Sequence, residues 1–104
     1  MTIAFRSIET GGGTYNPGGL TQTGVLRPAG TALNDILIAS LIINATADTI
    51  PGWTSPAGWT QLWDQHITAG GVNYHWVVEW KRATASEPTF WNWNWSAGSG
   101  ATWT

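Results

Sequence analysis

Cysteine is absent from this chain of 104 residues, so neither a disulfide framework nor a thiolate metal site can hold the fold together. Charge is also scarce: four Lys and Arg residues face six Asp and Glu residues, for a formal net charge of −2. Nucleic acid is not an expected partner, because binding it requires a patch of Lys and Arg that neutralises phosphates. A surface this poor in charge is instead typical of a protein that neighbours cover in an assembly.

Long apolar runs are lacking too. The longest, Ile36 to Ile43, is interrupted by Ser40 and is far shorter than the roughly 20 residues that cross a bilayer. The N-terminal residues MTIAFRSIET combine no basic start with an apolar run and a small-residue cleavage site, so no secretion signal is expected. The sequence therefore predicts a chain made as a soluble protein, with no membrane partner.

Tryptophan is abundant, with nine copies, and each aromatic side chain can bury roughly 150–250 Å². Two of the nine lie in the ten-residue stretch from Val72 to Lys81, which alternates strictly and predicts a central strand. One face is aromatic and β-branched, which predicts that it forms the core. The members of this predicted core face are Val72, Tyr74, Trp76, Val78 and Trp80. The opposite face is predicted to be the surface, with His75 as a surface or inter-subunit residue.

The other predicted elements are also strands. The run from Ile36 to Ile43 is apolar on both faces, which favours a strand in the middle of a sheet, with Leu37 and Leu41 in the core. Further strands are predicted at Thr2–Ile8, Trp59–Asp64, where Trp59, Gln61 and Trp63 share one face, and Thr89–Trp95, with a hairpin turn at Thr68–Gly71. Glu9–Pro28 is predicted to be a long loop or arm that can contain a short strand at Thr21–Leu26.

These elements predict one domain over residues 1–104. No ten-residue stretch carries the apolar stripe of a helix, and short strands alternate with glycine and proline turns. The predicted fold class is all-β, a single antiparallel β-sandwich that is jelly-roll-like.

Three tryptophans at alternate positions near the C-terminus form a ladder on one strand face: Trp91, Trp93 and Trp95. Two interpretations stay open. The rings can form a platform on which a neutral glycan stacks, with Asn92 and Asn94 as polar partners for a sugar or a neighbouring subunit. The ladder can instead be part of the core, and the need to cover a hydrophobic face favours this second interpretation.

Catalytic residues, cofactors and metal ligands are not expected. Asp64 and His66 lie two residues apart on one strand face, which is a possible start of a metal or general-base site. A catalytic site needs a third convergent group, and the sequence has no HxH, HExxH or GxSxG spacing to supply it. Glu87 is predicted to be a corner carboxylate bonded to backbone amides or to Arg82.

Three motifs occur in order along the chain: DILIASLII from Asp35, PAGWT from Pro56 and WKRATASEP from Trp80. Together they resemble small β-sandwich modules of phage and prophage tail, fibre and other virion-surface proteins, over most of the chain. The resemblance implies a non-enzymatic structural or adhesion subunit that is made in the host cytoplasm and located in the virion. Its implied partners are further copies of the chain or other virion proteins, and the alternative function is a lectin-like module that binds a glycan.

The last nine residues, SAGSGATWT, match a segment that leads into a further long strand in the modules that this chain resembles. The expectation is therefore an open sheet edge near Ala101–Thr104. We expect a segment of a neighbouring subunit to pair with it, either the N-terminal strand or the glycine-rich arm Glu9–Gly24. This pairing predicts a homo-oligomer, either a closed ring such as a trimer or a repeating array.

Overall fold

The computed structural model describes residues 7–8, 11–12, 20–44, 53–96 and 101–103. Within these ranges it contains seven strands and no helix, and two antiparallel sheets pack face to face. The prediction of an all-β sandwich is therefore confirmed. The strands are β1 (Gly11–Gly12), β2 (Leu20–Leu26), β3 (Ile36–Asn44), β4 (Thr60–Ala69), β5 (Val72–Arg82), β6 (Phe90–Ser96) and β7 (Ala101–Trp103).

The larger sheet has five strands in the order β1-β7-β3-β5-β4, and the smaller sheet pairs β2 with β6. Thr54 adds an isolated antiparallel bridge to Asn94 on β6. The buried hydrophobic cluster combines residues of β3, β5 and β6 with Ala83. We call the side of the large sheet that faces this cluster its inner face, and the opposite side its outer face.

Several predicted strands are confirmed. The apolar run of β3 lies between β7 and β5, in the interior of the sheet as predicted. Strand β4 continues five residues beyond its predicted end, up to a hairpin turn at Gly70 and Gly71. Both glycines have positive φ angles, 58° and 77°, which a two-residue hairpin turn of the type I′ class requires.

The predicted core face of β5 is wrong. Trp76 is 39% exposed, and Tyr74, Val78 and Trp80 are only half-buried. The opposite face is the inner one: Val77 is buried, together with the polar His75 and Glu79. Val77 lies opposite Leu41 of β3, which is buried on the same face. On β3 itself, Leu37 and Leu41 are buried as predicted.

A β-bulge at Leu62 overturns a second face prediction. The pairing of β4 with β5 shifts between Gln61 and Trp63, so two residues separated by one position no longer share a face. Gln61 pairs with Glu79 on the inner side, whereas Trp63 pairs with Val78 on the outer side. Strict alternation from Trp59 placed all three residues together and missed the extra residue.

The expected open edge at the C-terminal end is not observed at residues 101–103. Strand β7 pairs with Leu41–Ile43 of β3 on one side and with Gly11–Gly12 on the other. The partner is thus part of the predicted arm, but it comes from the same chain. The arm also contains β2, as the sequence allowed, while residues 9–10 and 13–19 of the arm and most of the predicted strand Thr2–Ile8 lie outside the described ranges.

Candidate functional site

The tryptophan ladder of β6 is buried between the two sheets. Trp91, Trp93 and Trp95 have exposures of 5%, 0% and 1%, so their rings offer no surface on which a ligand could stack. Asn92 is exposed and Asn94 is half-buried. The backbone C=O of Asn94 accepts from the N–H of Thr54 at 2.7 Å, and the N–H of Asn94 donates to the C=O of Thr54 at 3.1 Å. The interpretation of the ladder as core is therefore the one that the geometry supports.

Glu79 lies beneath this ladder and is fully buried. Its carboxylate accepts hydrogen bonds from the indole nitrogens of Trp53 and Trp93 and from the hydroxyl of Ser55. A carboxylate that loses its hydration needs such donors. We conclude that Glu79 is an internal acceptor that lets Trp93 be fully buried, and Trp53 half-buried, with their N–H groups bonded.

The tryptophan rings of the core also contact one another directly, by their faces and edges. Trp53 stacks on Trp95 with centroids 5.8 Å apart, and Trp59 meets Trp91 and Trp93 edge-on at 5.2 and 5.0 Å. Edge-to-face contacts of this kind are favourable between aromatic quadrupoles. Within the described residues, the buried indole nitrogens of Trp59, Trp91 and Trp95 have no hydrogen-bond partner, so Glu79 satisfies only part of the cluster's donors.

A second polar group occupies the inner side of the β4–β5 hairpin. Asp64 accepts a hydrogen bond from Nδ1 of His75 at 2.9 Å, and the ring of His75 stacks on His66 with centroids 5.2 Å apart. Nε2 of His66 lies 3.1 Å from the side-chain oxygen of Asn73. The structure thus brings the predicted pair Asp64 and His66 together with a third group, His75, that the sequence placed at the surface.

This hairpin cluster has the contacts of a positioned histidine but not the access of a catalytic one. A general base must reach the proton that it abstracts, whereas His75 is only 2% exposed. Among the described residues, no group of three or more His, Asp or Glu side chains is arranged to hold a metal ion. The geometry favours a structural role, in which Asp64 orients a buried imidazole.

The ATASEP segment forms a corner that is closed by Glu87. One carboxylate oxygen accepts hydrogen bonds from the amide and the hydroxyl of Thr84 at 2.7 and 2.9 Å, and the other lies 3.0 Å from Nζ of Lys81. The prediction of a corner carboxylate bonded to a backbone amide is confirmed, with Lys81 in place of Arg82. Burial raises the pKa of the Glu87 carboxyl, but the bonds from Thr84 and the Lys81 ammonium outweigh it, and the pKa lies below its ordinary value of 4.5.

The same lysine connects this corner with the PAGWT turn. Gly58 has a positive φ of 87°, and a Cβ atom at this position would lie 3.1 Å from Nζ of Lys81. The backbone angle therefore favours glycine, and a Cβ would also press on the end of the lysine side chain. Two of the three sequence motifs meet at one side chain, which gives their residue types a packing explanation.

The outer face of the large sheet is the most unusual surface of the described structure, because it is largely apolar and uncovered. Six large side chains on it are between 39% and 68% exposed: Ile36, Ile38, Ile42, Trp63, Ile67 and Trp76. The indole N–H of Trp76 donates to Ser40 on the same face at 2.9 Å. Among the described residues of this face only Arg82 is charged, and it lies at one end, opposite Ile36.

Sequence reasoning missed this outer face because it placed Trp76 in the core. One signal could have found it: β3 is apolar on both sides, so one apolar side had to face away from the sandwich core. None of the described segments forms a helix long and apolar enough to span a membrane. Comparisons with protein-family models, curated proteins and solved structures each find no match.

Proposed function

We propose that the chain is a non-enzymatic structural or adhesion subunit of a phage particle, as a tail, fibre or capsid-surface protein. The observation that carries this proposal is the exposed apolar outer face of the large sheet. Contiguous apolar surface on a monomer marks a site that another molecule covers. The resemblance of the three motifs to virion-surface modules supplies the setting.

The construction of those motifs supports a structural role. Lys81 and Glu87 form an ion pair that is nearly excluded from solvent, with side-chain exposures of 13% and 2%. Gly58 is held against the same lysine. These residues fix a chain corner and a turn, and their types are explained without a substrate or a cofactor.

Purified particles test the proposal directly. Peptide mass fingerprinting of phage particles from the strain that carries the gene should find this chain at a stoichiometry comparable to that of other virion proteins. Particles treated with a protease before lysis would separate a surface location from an internal one. Absence of the chain from particles that otherwise have a full protein complement would overturn the proposal.

A second candidate function is glycan binding, and it now rests on a different set of rings. Trp63 is 50% exposed and Trp76 is 39% exposed. They lie on the neighbouring strands β4 and β5, and one pair of opposed residues, Asp64 and Val77, lies between them along the ladder. Neighbouring aromatic rings on a sheet can form a stacking platform, and Gln65 beside them can bond to hydroxyl groups. The ladder of β6 takes no part in this alternative.

Fluorescence titration with a panel of neutral glycans tests this alternative. Binding on the outer face should shift or quench tryptophan emission in the wild-type protein and not in Trp63→Ala. Trp93 is a poor control because its loss disturbs the core, so Phe90→Ala, an exposed residue on the other sheet, is the matched variant. A panel that leaves emission unchanged would remove this function.

A further inference from the structure

We infer that the outer face of the large sheet is the contact surface between two copies of this chain, which pack sheet against sheet around a two-fold axis. The inference deepens the proposed role as an assembly subunit and depends on it for its biological meaning.

The outer face exposes an apolar area that two copies could bury together. Taking roughly 100 Å² for an isoleucine and roughly 200 Å² for a tryptophan side chain, the six exposed apolar residues leave roughly 400 Å² uncovered on one copy. The half-buried Tyr74, Val78 and Trp80 add to this surface. Two such faces in contact approach the roughly 1,000 Å² that a specific interface needs.

The near absence of charge on the outer face fits a contact between two identical copies. A two-fold contact places the same patch on both sides, so any charge near the axis meets its own sign. The outer face avoids this conflict, because its described residues carry one charge, on Arg82 at the end of β5. Two copies of this face can therefore meet without bringing like charges together near the axis.

One exposed indole of the outer face already has its hydrogen bond within the face. Apolar packing is opposed by unbonded donors and acceptors, and the indole N–H of Trp76 donates to Ser40. The central pair can therefore lose its water without losing a hydrogen bond. A sheet with this surface can pack on a second sheet at the usual separation of about 10 Å.

The edge strand β4 has two features that disfavour edge-to-edge strand addition. The edge strand β4 carries a bulge at Leu62 and the inward-pointing Asp64. Both features are known to discourage pairing with another chain. At the other side of the sheet, β7 already pairs with Gly11–Gly12. The β4 edge is therefore a poor site for strand addition, whereas the apolar outer face beside it is open to contact.

Light scattering after size exclusion tests the inference, with the full chain at micromolar concentrations. The wild-type protein should elute as a dimer. Ile38→Lys places a charge at the most exposed position of the face and should weaken dimerisation at least about a hundredfold, because the same charge occurs on both copies. Leu33→Lys, at a turn residue of 60% exposure, is the matched control and should remain a dimer.

A second measurement identifies the face and does not depend on one variant. Dilution from the dimer to the monomer should make Trp63 and Trp76 accessible, so acrylamide quenching should rise on dilution in wild type and less so in Trp63→Phe. Circular dichroism melts of Ile38→Lys serve as the control that this variant remains folded. Ile38→Thr keeps the β-branched shape and should weaken the dimer by a smaller factor.

The outcomes separate this inference from the proposed function. A monomeric wild-type chain, or a dimer that Ile38→Lys leaves intact, would overturn the two-fold contact. If such a chain is still found in purified particles, the structural role stands and another virion protein covers the face. If the chain is a dimer but is absent from particles, the contact stands and the virion role falls.

Discussion

The two faces of the large sheet reverse the usual distribution of residues. The inner face buries His75 and Glu79 beside Leu41 and Val77, whereas the outer face leaves Ile38 and Trp76 open to solvent. Burial of a polar group is tolerated where donors and acceptors meet it. The comparison teaches that the face of a strand that enters a core is chosen by what the opposite sheet presents, and here that is a set of indole rings with N–H donors.

The largest expected difference between the faces is a pair of tryptophan deletions. Trp93→Ala should lower the free energy of unfolding by about 3–5 kcal/mol, because it empties a fully buried site. Trp76→Ala should cost only about 1–2 kcal/mol, because much of its ring is already exposed. Urea melts followed by circular dichroism, at a concentration low enough to favour the monomer, measure both. Equal losses would contradict the assignment of the faces.

A smaller effect is expected when the inner acceptor is altered with its volume kept. Glu79→Gln replaces one carboxylate oxygen by an amide that donates, so at least one of its three donors loses its partner. Each buried donor without a partner costs about 1–3 kcal/mol, and the variant should be destabilised by that amount. Gln65→Ala on the outer face is the control and should change stability by no more than about 0.5 kcal/mol.

The pH dependence of stability sharpens the comparison at the end of the inner face. The pKa of Glu87 is lowered in the folded protein, so its carboxylate stabilises the fold above the ordinary value of 4.5, and this contribution is lost as the pH falls through the folded pKa. The difference in unfolding free energy between wild type and Glu87→Gln should therefore shrink on acidification. Paired melts from about pH 6 to about pH 3 measure it. A difference that is constant with pH would show that the bonds from Thr84 and Lys81 do not stabilise the ionised Glu87 carboxylate.

The smallest expected effect is that of Ile38→Thr in the monomer. The side chain is largely exposed, and threonine keeps the β-branched shape that suits a strand, so stability should change by no more than about 0.5 kcal/mol. Thermal melts of dilute protein measure it. A loss well above about 1 kcal/mol would mean that the outer face is covered within the monomer.

The strands themselves were predictable because they depend on local pattern. Alternation in Val72–Lys81, the turn at Gly70 and Gly71, and the ladder of Trp91, Trp93 and Trp95 each involve neighbouring residues whose spacing sets their geometry. The ladder's shared face and the position of β3 inside the sheet followed from the same reasoning. The Glu87 corner was also predicted correctly in its bond to a backbone amide, which comes from Thr84 three residues away.

The candidate contact surface was not predictable in this way. Its existence depends on which side of β5 is covered by β6, and the sequence of β5 alone favours the opposite answer. The contact of Asp64 with His75 depends on the hairpin register, and the orientation of Trp63 depends on the bulge at Leu62. The alternation of apolar and polar residues in a run such as TQLWD does not show where a bulge occurs.

The sequence by itself determined that the chain is all-β, where most strands lie, and that disulfides do not hold it together, because composition and alternation act over a few residues. Only the tertiary structure decided which faces are buried. The reason is that both sides of β3 are apolar and both sides of β5 carry groups that can be buried, so local pattern leaves two near-equivalent choices. On the buried face, Glu79 accepts hydrogen bonds from the indole donors of Trp53 and Trp93. An acceptor for a buried donor can be recognised only when both are placed.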